Sequence, residues 1–220
     1  MPVRIAPSLA SAPLDRLGQA VAELEAAGVD CLHFDIEDGS FVRLMTLGTK
    51  IMADLRPLTR LPFDVHLMMV DPEWLLADLV KMGADRISVH HEACLYPRRV
   101  LRQIVALGAT AGIAINPATP LPDLGYLRPY LSFVLVLTTE PEGPDCPLLP
   151  QVLAKVRTGK QSAGLEGIEW VVDGGIGPQN LVQVIRAGAD TVVVGRAIFK
   201  DGRIAANVRA LREAASGSPS

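Results

Sequence analysis

A chain of 220 residues, 49% hydrophobic and 20% charged, has the apolar material for one large core and is too apolar for a disordered chain. Its 21 Lys and Arg against 24 Asp and Glu leave a net charge of −3 without runs of like charge, so nucleic acid is excluded as an electrostatic partner. No apolar stretch approaches the ~18 residues of a membrane span. The three cysteines are widely spaced and suit a reducing cytoplasm rather than a disulfide framework or a zinc ribbon.

The first dozen residues share features with a short leader, but Pro7 and a helical pattern from Leu14 read as structure. The first strand is expected over 4–8. A helix is expected over 14–27, with Leu14, Leu17, Val21 and Leu24 at helical spacing and Gly28 as its stop. Further strands are expected at 31–36, 63–68, 86–90, 110–115, 133–137, 169–172 and 191–194, separated by amphipathic segments. Three of them follow a repeated signature: Ala27-Gly28-Val29-Asp30, Met82-Gly83-Ala84-Asp85 and Ala187-Gly188-Ala189-Asp190. Each places a glycine where a helix ends and the chain turns into a strand. Eight strand–helix units imply a single-domain (β/α)8 TIM barrel over 1–213, followed by a small polar tail, 214–220, expected to be flexible. An open doubly wound sheet is the alternative. It would usually carry a glycine-rich loop after the first strand, where this chain has Ala6-Pro7-Ser8.

Barrel chemistry sits where strands end. The second strand ends His33-Phe34-Asp35-Ile36-Glu37, and alternation puts His33, Asp35 and Glu37 on one face, expected to be the interior. The third contains Asp64, His66 and Met68 on one face, and the seventh ends Asp173-Gly174-Gly175. Two imidazoles and two carboxylates from three strands suit zinc, iron(II), manganese or cobalt(II). His90 and His91, beside Glu92, read as ordinary core or surface histidines. No lysine stands at a strand end, which disfavours a Schiff-base aldolase.

Ile5-Ala6-Pro7-Ser8, His33-x-Asp35-x-x-Asp38-Gly39, Phe41-Val42, Asp64-Val65-His66-Leu67-Met68, Asn116-Pro117-Ala118-Thr119-Pro120, Val172-Asp173-Gly174-Gly175 and Gly195-x-Ala197-Ile198-Phe199 resemble the signature segments of ribulose-phosphate 3-epimerases. The resemblance spans residues 5 to 212. It implies a (β/α)8 barrel holding one divalent metal through His33, Asp35, His66 and Asp173, with Ser8 and His66 as substrate contacts. It also implies inversion of C3 of D-ribulose 5-phosphate to give D-xylulose 5-phosphate through an enediolate. Asp35 and Asp173 would exchange the roles of acid and base on opposite faces of the sugar, and Gly174, Gly175 and Gly195 would let the phosphate approach the backbone. The implied partners are a small ketose phosphate and further copies of the chain, with no nucleic acid and no membrane.

Three positions depart from the family pattern. Glu37 replaces a methionine, and either bonds the metal or a substrate hydroxyl or pairs with Arg43; with Met68 it is a candidate for specificity. The loop after the sixth strand usually reads Asn-Pro-Gly-Phe-Gly-Gly-Gln, but here reads Glu140-Pro141-Glu142-Gly143-Pro144-Asp145-Cys146, which removes donors and adds carboxylates where a phosphate would lie. Arg196 replaces a serine and either binds phosphate in place of the lost amides or is held by Glu142 or Asp145. These departures keep open a 3-epimerase of another ketose or ketose phosphate, and a sugar-phosphate-binding barrel without turnover.

Overall fold

The computed structural model describes residues 2–140 and 146–217. Among them the chain forms eight strands: β1 (Arg4–Pro7), β2 (Leu32–Glu37), β3 (Phe63–Met68), β4 (Ala84–His90), β5 (Thr110–Ile115), β6 (Phe133–Leu137), β7 (Glu169–Asp173) and β8 (Thr191–Val194). They pair in parallel in the order β1-β8-β7-β6-β5-β4-β3-β2. β1 returns to β2 through a bridge between Ser8 and His33 and through the Asp30 N–H, which donates to the Ile5 carbonyl at 3.1 Å. That return makes the sheet a (β/α)8 barrel and removes the open-sheet alternative.

Helices α1 (Leu17–Ala26), α2 (Lys50–Leu55), α3 (Leu76–Lys81), α4 (Pro97–Ala106), α5 (Ala154–Gln161), α6 (Leu181–Arg186), α7 (Arg196–Phe199) and α8 (Ile204–Ser216) surround it. Between β5 and β6 a short 3-10 turn (Gly125–Leu127) replaces the helix, because Pro117, Pro120 and Pro122 withhold the N–H groups a helix would use. The first helix is shorter than its sequence pattern. Leu14–Arg16 form a separate 3-10 turn, and Leu14 is exposed while Leu17, Val21 and Leu24 are buried. The far end is longer than expected, since Ala214 and Ala215 pack on the core within α8 and residues 218–220 lie outside the described residues. No described helix is long and apolar enough to cross a membrane.

The repeated Gly-x-Asp signature has a physical basis in the barrel floor. Gly28, Gly83 and Gly188 take positive φ and turn each helix toward its strand. The following aspartate then accepts an N–H from the first or second residue of the neighbouring strand: Ile5 N–H donates to Asp30 at 2.7 Å, Phe63 N–H to Asp85 at 2.8 Å and Trp170 N–H to Asp190 at 2.7 Å. A cation closes each corner, with Arg212 on Asp30, Arg56 on Asp85 and Lys160 on Asp190.

Outward strand residues such as Phe34, Val65, Ile113 and Trp170 form one apolar core against the helices. The interior is divided. Ala6, Ala114, Leu135, Val171 and Val193 make one side apolar. The inward positions of β2–β4 are instead His33, Asp35, Asp64, His66, Ser88 and His90, all buried, with the partly buried Arg86 beneath them. Arg86 lies over the Phe133 ring at 4.3 Å, and Gly112 leaves the room that this ring occupies. From there its guanidinium reaches Asp64 at 3.2 Å and, across the barrel, Glu169 at 2.9 and 3.1 Å.

Burial alone would raise the Glu169 carboxyl, but Arg86 outweighs it and holds the group below its usual value. A depressed carboxyl stabilises the fold above its unfolded-state pKa of ~4.3, and that contribution is lost as pH falls through the folded-state value. Glu169→Gln is expected to lower stability by roughly 1–3 kcal/mol at about pH 7. The gap to the unaltered protein should narrow below about pH 4 in urea unfolding. A gap that stays constant into acid would show that Glu169 does not carry the charge assigned to it.

Candidate active site

The C-terminal mouth of the barrel brings His33 and Asp35 from β2, His66 from β3 and Asp173 from β7 together. His33 Nε2 lies 3.3 Å from Asp35 Oδ1 and 3.7 Å from Asp173 Oδ2, and His66 Nδ1 lies 3.4 and 3.5 Å from the same two oxygens. The four atoms fall within 4.8 Å of one another. Both nitrogens are buried and have no hydrogen-bond partner, a costly state for polar atoms in a dry interior. A tetrahedron of ligands ~2.1 Å from a first-row divalent cation has edges of ~3.4 Å, so the residues present fit such an ion.

The charge balance points the same way. Burial would lower His33, yet the Asp35 charge and the bond to Asp64 more than reverse this and hold it well above its ordinary value. His66 is raised against burial by Asp173 and Asp35. The Asp35 carboxyl, which burial would raise, is held below the ordinary carboxylate range by His33 and His66. Ser8 orients that carboxylate by donating its hydroxyl to Oδ2 at 2.6 Å. The side chains of Asp35 and Asp173 stay 11% and 13% exposed, which leaves each reachable from the mouth.

Both imidazoles are also held from behind. His33 Nδ1 meets Asp64 Oδ2 at 2.9 Å, and Asp64 accepts from Arg86 through its other oxygen. His66 Nε2 meets His90 Nε2 at 2.8 Å, and His90 Nδ1 meets Glu92 at 3.2 Å. His90 is thus the buried, hydrogen-bonded core histidine expected from sequence, with a cluster residue as one of its partners. Burial, working against the raising pull of Glu92 and aided by His66, pushes it down to about 4. Parity was the available signal, because Arg86, Ser88 and His90 alternate inward along β4 as Asp64 and His66 do along β3. Burial raises the thiol pKa of Cys31, and that of Cys94 to about 12, so neither is a ready thiolate.

Two cavities open beside the cluster. One, of about 470 Å³, is lined by Asp35, Glu37, Thr46, Met68, Thr139 and Asp173 among others. The other, of about 250 Å³, runs past Ser8, Gly174, Gly175, Gly177 and Gly195. They share Ser11, Asp173, Gly174 and Arg196. Glu37 lines the larger cavity and accepts the Thr46 N–H at 2.6 Å, which ties down the loop after β2, in place of the pairing with Arg43. Gly174 and Gly175 take positive φ, and a Cβ there would strike Thr139 and the backbone of Leu148. They accommodate the chain after β6 as well as lining the cavity. Arg196 donates to the Cys146 carbonyl at 3.4 Å. The residues expected to weaken the phosphate cradle, Pro141, Glu142, Gly143, Pro144 and Asp145, lie outside the described residues, so the pairing of Arg196 with Glu142 or Asp145 does too.

The model of the ribulose-phosphate 3 epimerase family matches residues 4–199. The ribulose-phosphate 3-epimerase of Synechocystis sp. is 40% identical over 219 residues, covering 98% of this chain and 95% of that protein. The enzyme of the same name from Bacillus subtilis is 36% identical over 200 residues, covering 90% and 92%. Among solved structures, orotidine 5′-phosphate decarboxylase from Pyrococcus horikoshii aligns with a TM-score of 0.68 over 97% and 99% of the two chains. At 16% identity that likeness is one of fold alone.

A divalent ion added to metal-stripped protein is expected to raise the melting temperature, and His66→Ala to abolish the rise. Asp64→Asn leaves all four cluster residues in place but weakens the hold on His33. Its expected cost is about 10–100-fold in ion affinity, measured by competition with a chelator. Unaltered affinity would remove Asp64 from the support of the centre.

Proposed function

The chain belongs to the ribulose-phosphate 3-epimerase family, and from that membership we propose that it interconverts D-ribulose 5-phosphate and D-xylulose 5-phosphate. In this reading His33, Asp35, His66 and Asp173 hold one divalent ion, whether zinc, iron(II), manganese or cobalt(II), and Asp35 and Asp173 carry the proton. The supporting observation is the pair of reachable carboxylates that β2 and β7 contribute to one buried cluster.

Inversion at a carbon beside a ketone requires a proton to leave one face and another to arrive on the opposite face. Asp35 and Asp173 each turn one oxygen toward the imidazoles and stay reachable from the mouth, where the substrate would enter. The Ser8 hydroxyl on Asp35 Oδ2 holds that carboxylate in register. When bound, the divalent ion neutralises charge building on the ketone and C3 oxygens, which in a dry site is worth several kcal/mol. The sugar occupies the larger cavity, where Met68 and Glu37 set which ketose fits. The phosphate occupies the smaller one beside Gly174, Gly175 and Gly195, with Arg196 as its counter-charge. The protein works in the cytoplasm, which its three free cysteines suit. It works as a homo-oligomer, a state favoured by the exposed Val70, Trp74, Leu95 and Tyr96.

With saturating divalent ion, Asp173→Asn is expected to lose about 10²–10⁴-fold in turnover of D-ribulose 5-phosphate and in deuterium exchange at C3. An Asp173→Asn protein as active as the original would eliminate the two-carboxylate reading. An ion-loaded original without turnover would reject D-ribulose 5-phosphate itself. Arg196→Ala should raise KM by roughly tenfold with little change in kcat; an unchanged KM would release Arg196 from phosphate binding.

A further inference from the structure

We propose that His90 and Glu92 are positioning residues for the metal centre, forming a relay that keeps the His66 proton on Nε2 and leaves its Nδ1 bare toward Asp35 and Asp173. The inference rests on reading His33, Asp35, His66 and Asp173 as the ligands of an ion.

Two ring nitrogens 2.8 Å apart share a single hydrogen, so of His66 Nε2 and His90 Nε2 one donates and the other accepts. If His90 donated, a neutral His66 would carry its hydrogen on Nδ1, pointing into the cluster and occupying the electron pair an ion needs. If His66 donates, Nδ1 is bare. Glu92 decides between these arrangements. Its carboxylate only accepts, and at 3.2 Å from His90 Nδ1 it favours the tautomer with hydrogen on that nitrogen and a bare Nε2.

The relay has a fixed far end. Glu92 Oε1 accepts the Asn116 N–H at 2.8 Å. Lys155 in turn donates to the carbonyls of Asn116 and Pro117 at 2.7 and 2.8 Å. The segment after β5 that carries Asn116 and Pro117 therefore anchors a chain of bonds that ends at His66. Phe41 closes its open side, its ring centre 4.6 Å from that of His90. Asp64 performs the equivalent task for His33 in one step. The two imidazoles consequently present opposite nitrogens to the centre, Nε2 from His33 and Nδ1 from His66, each with its remaining nitrogen committed elsewhere.

The test uses the full chain with cobalt(II) as the titrated ion and zinc for ¹⁵N-histidine NMR. His90→Phe removes the acceptor, His90→Gln restores an accepting oxygen, and Glu92→Gln removes the charge that sets the tautomer. Cobalt(II) affinity is expected to fall about 10–100-fold in His90→Phe, less in His90→Gln, and roughly tenfold in Glu92→Gln. In the zinc-loaded original the hydrogen should sit on His66 Nε2, read from its one-bond ¹H–¹⁵N coupling, with ¹⁵N–¹⁵N coupling to His90 Nε2 across the bond. Unchanged cobalt(II) affinity in folded His90→Phe and Glu92→Gln, or a hydrogen on His66 Nδ1, would overturn the relay. Should His90→Phe fail to fold, the part-exposed Glu92→Gln position and the coupling decide the matter. An original protein that binds no cobalt(II) would overturn the ligand set and the relay together, whereas binding that the substitutions leave unchanged overturns the relay alone.

Discussion

Two imidazole nitrogens facing two carboxylate oxygens, without a hydrogen bond between them, are the constraint on which the interior of this barrel depends. Such atoms remain unpaired in a dry interior only if everything behind them is held in place. The polar wall formed by β2, β3 and β4 meets that demand. Behind His33 stand Asp64 and then Arg86, and behind His66 stand His90 and then Glu92. Each line ends on a group of fixed charge, so neither imidazole is free to turn.

The apolar half of the interior has a complementary part. Ala6, Ala114, Leu135, Val171 and Val193 offer no competing donors or acceptors, so the charges opposite have only one another and whatever enters from the mouth. Low local polarity strengthens each of those contacts and raises the penalty for misplacing any of them. The arrangement concentrates binding and chemistry at one rim while the outer core against the helices carries the packing.

Much of this was legible in the sequence because strand parity is a strict rule. Alternation along 33–37 and 63–68 put His33, Asp35, Asp64 and His66 on one face, and the barrel turned that face inward. The Gly-x-Asp signature was visible as a pattern, but its reason was not. Only the parallel register shows that each aspartate serves the strand next to its own. His90 followed the same parity as Arg86 and Ser88 and read as an ordinary core or surface histidine. What it touches depends on a cross-strand distance that no spacing within β4 encodes. Glu37 was legible as an interior group but not as the acceptor for Thr46, because that contact is set by the path of a loop. The start of α1 was misread for a related reason: Leu14 has the helical spacing, but an exposed 3-10 turn takes it out of the helix.

Strand β7 carries an acid at each end, Glu169 and Asp173, four residues apart and on the same inward face. Glu169 meets Arg86 at the floor and Asp173 meets the imidazoles at the mouth, so β7 is tied across the barrel at two heights. Between them lie Trp170 and Val172, which face the helices, and Val171, which faces the interior, and the Trp170 ring fills the room that Gly159 leaves. A slip of one residue would turn both acids outward at once, taking Glu169 from Arg86 and Asp173 from the two histidines. The two carboxylates therefore act as an electrostatic ruler on the inner face of a strand that Trp170 fixes from the outer one.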